Sequence, residues 1–147
     1  MMLIGNYSSK ISLANRVAIP NSFRKEIGKT FVIAKWYENC LVIVSSSNWS
    51  ELLKRITGKT EFITQSVRDT DRFILGSAFE LTTDSQGRAV LPKSLAEFAS
   101  LSEEVIFLGL GDRVEIWAKK AWEEKEKLVS TNAAQTLEKL AKDERRT

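Results

Sequence analysis

Two arginines occupy matched places in this chain. Arg16 lies in SLANRVAIP (residues 12–20) and Arg88 in DSQGRAVLP (residues 84–92), each just ahead of an apolar run that ends in proline. An arginine held rigidly beside a tight turn has two chemistries open to it. It can read guanine bidentately in the major groove, or it can anchor a phosphate. A third role competes with these in the second copy, where Asp84 lies four residues before Arg88 and an ion pair would staple the turn. In the first copy that position is Ser12, which cannot pair as an ion, so Arg16 is the freer of the two to meet an external anion.

The turns themselves have a local logic. Asp84-Ser85-Gln86-Gly87 is a good turn sequence, with Asp as cap and Gly supplying positive φ. The first copy reads Ser12-Leu13-Ala14-Asn15. Asn tolerates the left-handed region best among residues other than Gly, and Ser still caps weakly. Arg16 also lies among Lys10, Arg24, Lys25 and Lys29, with Glu26 the only acid in residues 1–30.

These motifs belong to a longer repeat. With Arg16 placed over Arg88, Pro20 falls over Pro92, Ser22 over Ser94 and Phe23 over Leu95. After one extra residue in the second copy, Phe31-Val32-Ile33 falls over Glu104-Val105-Ile106. Asn39 then falls over Asp112, Leu41-Val42-Ile43 over Val114-Glu115-Ile116, and Trp49 over Trp122. The conserved order of elements marks a duplication of about 40 residues.

Each copy predicts β-α-β-β-α. Residues 16–19 and 88–91 are short strands. Pro20 and Pro92 end them and serve as first helical residues. PNSFRKEIG and PKSLAEFASL are short helices with apolar residues three to four apart, the first closed by Gly28 in the left-handed conformation. FVIAKWYENCLVIV and EVIFLGLGDRVEIW are hairpins, turning at 37–39 and at 109–112. SSSNWSELLKRI and AKKAWEEKEKLV are helices. Strands this short cannot close a core alone, so the two copies must pack as one pseudo-symmetric unit of interleaved hairpins. The organisation expected is residues 1–58 as the first half, 59–76 as a linker with a helix from Thr64 to Leu75, 77–124 as the second half, and 125–147 as a helical tail.

Composition limits the function. The absence of histidine removes the commonest general base and zinc ligand. There is neither a P-loop nor a GxGxxG. The paired carboxylates Glu103-Glu104 and Glu123-Glu124 lie in polar segments and read as solvated faces. No metal, cofactor or small-molecule substrate is implied, and the reading is not that of an enzyme. Cys40, the only cysteine, sits in the apolar run CLVIV and reads as a buried strand residue. No apolar run approaches the roughly 20 residues that span a bilayer, and no signal peptide is visible at the N-terminus; a cytoplasmic protein is expected. Net charge is +3 but divided, with +6 over residues 1–59 and −3 over 60–147. A basic first half suggests a polyanion partner or an acidic neighbouring subunit. Trp36, Trp49, Trp117 and Trp122 lie in apolar periodic segments and read as core or interface residues rather than base-stacking platforms. Arg68 and Arg72, beside Asp69 and Asp71, read as ion-paired.

The Gly-Arg-apolar-Pro motifs, RFILGSAFELTTDSQGRAVLP and GLGDRVEIWAKKAWEE resemble the MraZ family of bacterial regulators, from about Ile4 to Trp122. A single copy resembles the wider AbrB/SpoVT group of swapped-hairpin DNA-binding domains. The resemblance implies an α+β fold in which duplicated β-α-β-β halves form a pseudo-twofold AbrB-like β-barrel flanked by helices. It implies ring oligomers, octamers or dodecamers, binding G-rich direct repeats in double-stranded DNA upstream of a division and cell-wall operon. The chain would act there as a transcriptional repressor associated with the nucleoid. The family motif DxxxR carries over fully to Asp84 and Arg88; in the first half only Arg16 carries over, with Ser12 and Asn15 at the Asp and Gly positions.

The expected DNA-binding residues are therefore Arg16 and Arg88, with Asn15 and Gly87 shaping their turns and Lys10, Arg24 and Lys25 on phosphates. The half that breaks the motif is expected to dominate. The alternative is an AbrB-like antitoxin or interaction protein that holds a partner through a C-terminal arm, Lys125–Thr147.

Overall fold

The structure, a computed structural model, describes residues 2–58 and 63–145. In chain order the elements are β1 (Leu3–Lys10), β2 (Arg16–Ala18), α1 (Asn21–Ile27), β3 (Thr30–Lys35), β4 (Leu41–Ser45), α2 (Trp49–Thr57), α3 (Gln65–Ile74), β5 (Phe79–Thr82), β6 (Arg88–Val90), α4 (Lys93–Phe98), β7 (Glu104–Gly111), β8 (Val114–Ala118), α5 (Lys119–Thr131) and α6 (Ala133–Arg145). Residues 59–62 of the expected linker lie outside the described residues. Thr64 caps α3 by accepting from the Val67 amide at 3.3 Å. α5 runs through position 125, where the tail was expected to begin.

The two halves exchange strands. A six-stranded antiparallel sheet has the order β1-β7-β8-β4-β3-β5. The lead strand of the first half, β1, pairs with β7 of the second; β5 of the second pairs with β3 of the first. Short bonds outside the strands follow the same exchange: the Ile11 amide donates to the Glu103 carbonyl at 2.8 Å, and the Thr83 amide to the Lys29 carbonyl at 3.0 Å. The hairpins meet where β4 pairs with β8, centred on Val42 opposite Glu115. A separate two-stranded ribbon, β2 with β6, centres on Val17 opposite Ala89. One pseudo-twofold axis passes through both centres. The sheet is not closed into a barrel: β1 and β5 are its edges.

Side chains alternate between two cores, as period-two strands require. Val17, Phe23, Phe31, Ile33, Leu41, Ile43, Leu91, Leu95, Phe107 and Ile116 fill the space between the sheet and the ribbon with α1 and α4. On the outer face, Ala34, Val42, Val44, Ile106 and Leu108 are covered by α2, α3 and the start of α5 through Leu52, Ile74 and Trp122. Trp36 and Trp117 are buried there, Trp49 and Trp122 pack against this core, and the Trp117 and Trp122 rings meet edge to face at 5.5 Å. Cys40 is buried in this core, and burial pushes its thiol pKa up, so it is not a reactive thiolate.

Several local expectations need correction. Pro20 and Pro92 are N-caps, with ψ of 136° and 137°, so each helix starts one residue later. Gly28 has positive φ (88°) but an extended ψ of 172°, not the left-handed helical value. β7 continues to Gly111 by pairing with β1, but its ladder with β8 ends at Gly109 opposite Val114 and the Leu110 amide donates to the Arg113 carbonyl at 2.8 Å, so the second hairpin turns over 110–113, one residue later than expected. The repeat register in the first strand of each hairpin is also shifted. Ile33 and Phe107 are the true equivalents, opposite Ile43 and Ile116 and facing the same core. A one-residue slip exchanges faces, and the expected match of Ile33 to Ile106 would have placed a residue of the outer core in the inner one. None of the described helices is long and apolar enough to cross a membrane.

Candidate nucleic-acid interface

The ribbon brings the two arginine turns together. Arg16 stands opposite Val90, and Arg88 opposite Ala18. Because Val17 and Ala89 between them are buried, alternation turns Arg16, Ala18, Arg88 and Val90 outward. Arg16 and Arg88 are thus diagonal neighbours on one face, with backbones roughly 7–8 Å apart. Reciprocal bonds lock the turns: the Ile19 amide donates to the Gly87 carbonyl at 3.0 Å and the Leu91 amide to the Asn15 carbonyl at 2.8 Å.

Each turn is closed by equivalent bonds despite the different residues. In the second, the Asp84 amide donates to the Arg88 carbonyl at 2.8 Å and the Gly87 amide to the Asp84 carbonyl at 3.0 Å. In the first, the Ser12 amide donates to the Arg16 carbonyl at 3.0 Å and the Asn15 amide to the Ser12 carbonyl at 2.9 Å. Asn15 has φ of 59° and Gly87 of 76°, so both take the positive-φ role. Ser12 Oγ accepts from the Arg16 amide at 3.1 Å, as Asp84 Oδ1 does from the Arg88 amide at 2.9 Å.

The side chains differ where the caps agree. Asp84 Oδ1 also accepts from the Gln86 amide at 2.9 Å, and Arg88 Nε donates to Asp84 Oδ2 at 3.0 Å. These bonds, led by that from the Arg88 amide, hold the Asp84 carboxyl below the usual carboxylate range. Arg88 is therefore aimed by its own turn and partly neutralised by it. Arg16 is exposed, and its guanidinium makes no hydrogen bond or ion pair among the described residues.

The other cations are placed variously. Lys10 ends β1 opposite Glu104 and is exposed; its charge helps keep the Glu104 carboxyl below its ordinary range, after the main partner, Lys119 at 2.8 Å. An ionised, paired Glu104 is poorly suited to general-acid work. Lys25 is exposed on α1. Arg24 is drawn inward: it bonds Asn21 and lies across Gly87 of the opposite half. Two outward residues were not anticipated. Leu13 is fully exposed at the tip of the first turn, and Val90 is exposed beside Arg16. Val90 follows from alternation with Ala89; Leu13 is marked only by an apolar residue standing where the second turn has Ser85. Of the linker arginines, Arg72 pairs with Asp69 at 2.8 Å, while Arg68 donates to the Ile63 carbonyl at 2.9 Å.

Paired arginine turns on a ribbon, carried by halves that exchange their lead strands, define a duplicated swapped-hairpin protein. The family model described as "MraZ protein, putative antitoxin-like" matches the chain twice, over residues 2–73 and 74–144. The "Transcriptional regulator MraZ" of Caldanaerobacter subterraneus subsp. tengcongensis is 39% identical over 140 residues, covering 95% of this chain and 96% of that protein. The proteins of the same description from Clostridium tetani and Alkaliphilus oremlandii are 34% and 39% identical, covering 84% and 83% of this chain and 86% and 85% of their own lengths. The chain belongs to the MraZ family.

Proposed function

We propose that the chain is a sequence-specific DNA-binding transcriptional regulator whose β2–β6 ribbon meets the major groove. The observation that carries this reading is the outward placement of Arg16 and Arg88 on one ribbon face, at the ends of two rigid turns. A two-stranded ribbon fits the groove, and guanidinium groups fixed by turns suit bidentate contact with guanine. Its relatives' description as transcriptional regulators supports the same reading. Lys10 and Lys25 contact phosphates, which position the protein without specifying sequence. Arg16 contributes most, being exposed and unpaired among the described residues, while Arg88 must share its charge with Asp84. One ribbon offers few contacts. Affinity then comes from several subunits engaging successive G-rich direct repeats, in a ring of eight or twelve copies. The regulated operon is its own division and cell-wall cluster, where binding represses.

Selection of bound sequences from random duplexes, combined with the assembly mass in solution, tests this reading. Recovery of tandem G-containing repeats, a ring mass, and an affinity that falls steeply with salt are expected. Recovery of no preferred sequence, with a flat salt dependence, would overturn it.

A further inference from the structure

The two halves differ at position 87 against 15 in the turns and at position 24 against 96 in the helices, and the fold brings Gly87 and Arg24 together across the halves. A Cβ added to Gly87 would lie 1.7 Å from Arg24 Nη1, 2.5 Å from its Cζ and 2.7 Å from its Cδ. Gly87 is itself buried. Positive φ alone does not demand glycine there, since Asn15 holds the equivalent place at φ 59°. The space a β-carbon would take is filled by the Arg24 side chain, which crosses the turn from α1 of the other half and would have to be displaced by a larger residue. Arg24 is held in that position by Asn21, and its Nε is buried without a hydrogen-bond partner among the described residues.

The pseudo-twofold partner of Arg24 is Ala96 on α4. Ala96 and Asn15 line one shallow depression with Leu13, Lys93 and Leu101. The equivalent places thus differ in bulk: a long side chain lies over glycine in one case, while alanine and a β-carbon-bearing asparagine border an open depression in the other. We infer that Arg24 is a positioning residue, braced on Gly87 so that the first half holds the turn that aims Arg88 of the second. This assignment of the turn rests on the proposed DNA reading only for its consequence in binding; the interlock itself stands on packing.

Three variants test it: Arg24→Ala, Gly87→Asn, and the two combined, which recreates in the second turn the Asn/Ala combination of the first. The first readout is amide hydrogen exchange of Gln86 and Arg88 in the free protein, with Asn15 and Arg16 as internal controls. Gly87→Asn is expected to speed exchange in the second turn severalfold and leave the first unchanged. Arg24→Ala should do so to a smaller extent, and the double variant should exchange more slowly than Gly87→Asn alone. The second readout is affinity for a fluorescent duplex of tandem G-rich repeats across a salt series, where the double variant should recover most of what Gly87→Asn loses. An Arg24 that only touched phosphate would leave exchange unchanged, and its alanine variant would merely flatten the salt slope by about one; that result overturns the interlock. So does a double variant no better protected than Gly87→Asn. Failure of the parent protein to bind the duplex would count against DNA reading while leaving the exchange result to decide the interlock.

Discussion

At the scale of single residues, the two turns share one geometry with different chemistry. Asp84 caps through a carboxylate that also pairs with Arg88; Ser12 caps through a hydroxyl that cannot pair with the Arg16 guanidinium as an ion. This difference has a pH signature. The folded-state pKa of Asp84 is depressed, so its contribution to stability is present above the unfolded carboxylate range and is lost as pH falls through the lower, folded value. On acidification, the Gln86 and Arg88 amide resonances should shift together as their acceptor is protonated, while that of Arg16 stays in place. Coincident shifts of Arg16 and Arg88 would contradict the difference in caps. Much at this scale was legible from the sequence. Asn15 for Gly87 could be read from the known tolerance of asparagine for positive φ, and Ser12 for Asp84 from capping chemistry. The place of Arg24 could not, because its partner lies in the other half and only the fold brings them together.

At the scale of elements, strands with dense apolar runs and helices announced by proline were legible. β4 and β8 carry dense apolar runs, and α1 and α4 follow their prolines. β1 was not. Of LIGNYSSK only Leu3 is buried, so the strand carries no period-two signal and is held mainly by its ladder with β7. The repeat register slipped for a related reason: in the runs Phe31-Val32-Ile33 and Val105-Ile106-Phe107 both faces are largely apolar, so composition does not say which residue faces which core. The attachment of β1 depends on close backbone approach at Gly109. A Cβ there would lie 2.6 Å from the Ile4 nitrogen and 2.7 Å from the Leu3 carbonyl carbon, neither of which can swing aside. Gly109→Ala should cost roughly 1–3 kcal/mol and speed amide exchange along β1. A thermal melt and exchange profile identical to the parent's would refute that packing.

At the scale of the whole molecule, duplication was legible but the exchange of lead strands was not specified by it. The repeat required two halves to pack together; the pairing of β1 with β7 and β5 with β3 shows how. Neither half can complete its own sheet. A fragment of residues 1–73 would keep the β3–β4 hairpin but lose the partners of β1, β2 and the β3 edge. As a monomer it should therefore show no cooperative thermal transition by circular dichroism. A two-state melt of the monomeric fragment would mean that the halves are independent domains. The same exchange is what places one arginine from each half on a single ribbon, so the fold and the proposed groove contact stand on the same arrangement.

Binding of a duplex of the selected tandem repeat by Arg16→Ala and Arg88→Ala, compared with the parent at one moderate salt concentration, tests that contact most directly. Each substitution should weaken binding by roughly 5- to 150-fold, the effect of losing about 1–3 kcal/mol of base contact. The larger loss is expected at Arg16, with relaxed preference for guanine and an unchanged melting temperature. If both variants bind that duplex as the parent does, the ribbon is not the surface that reads DNA.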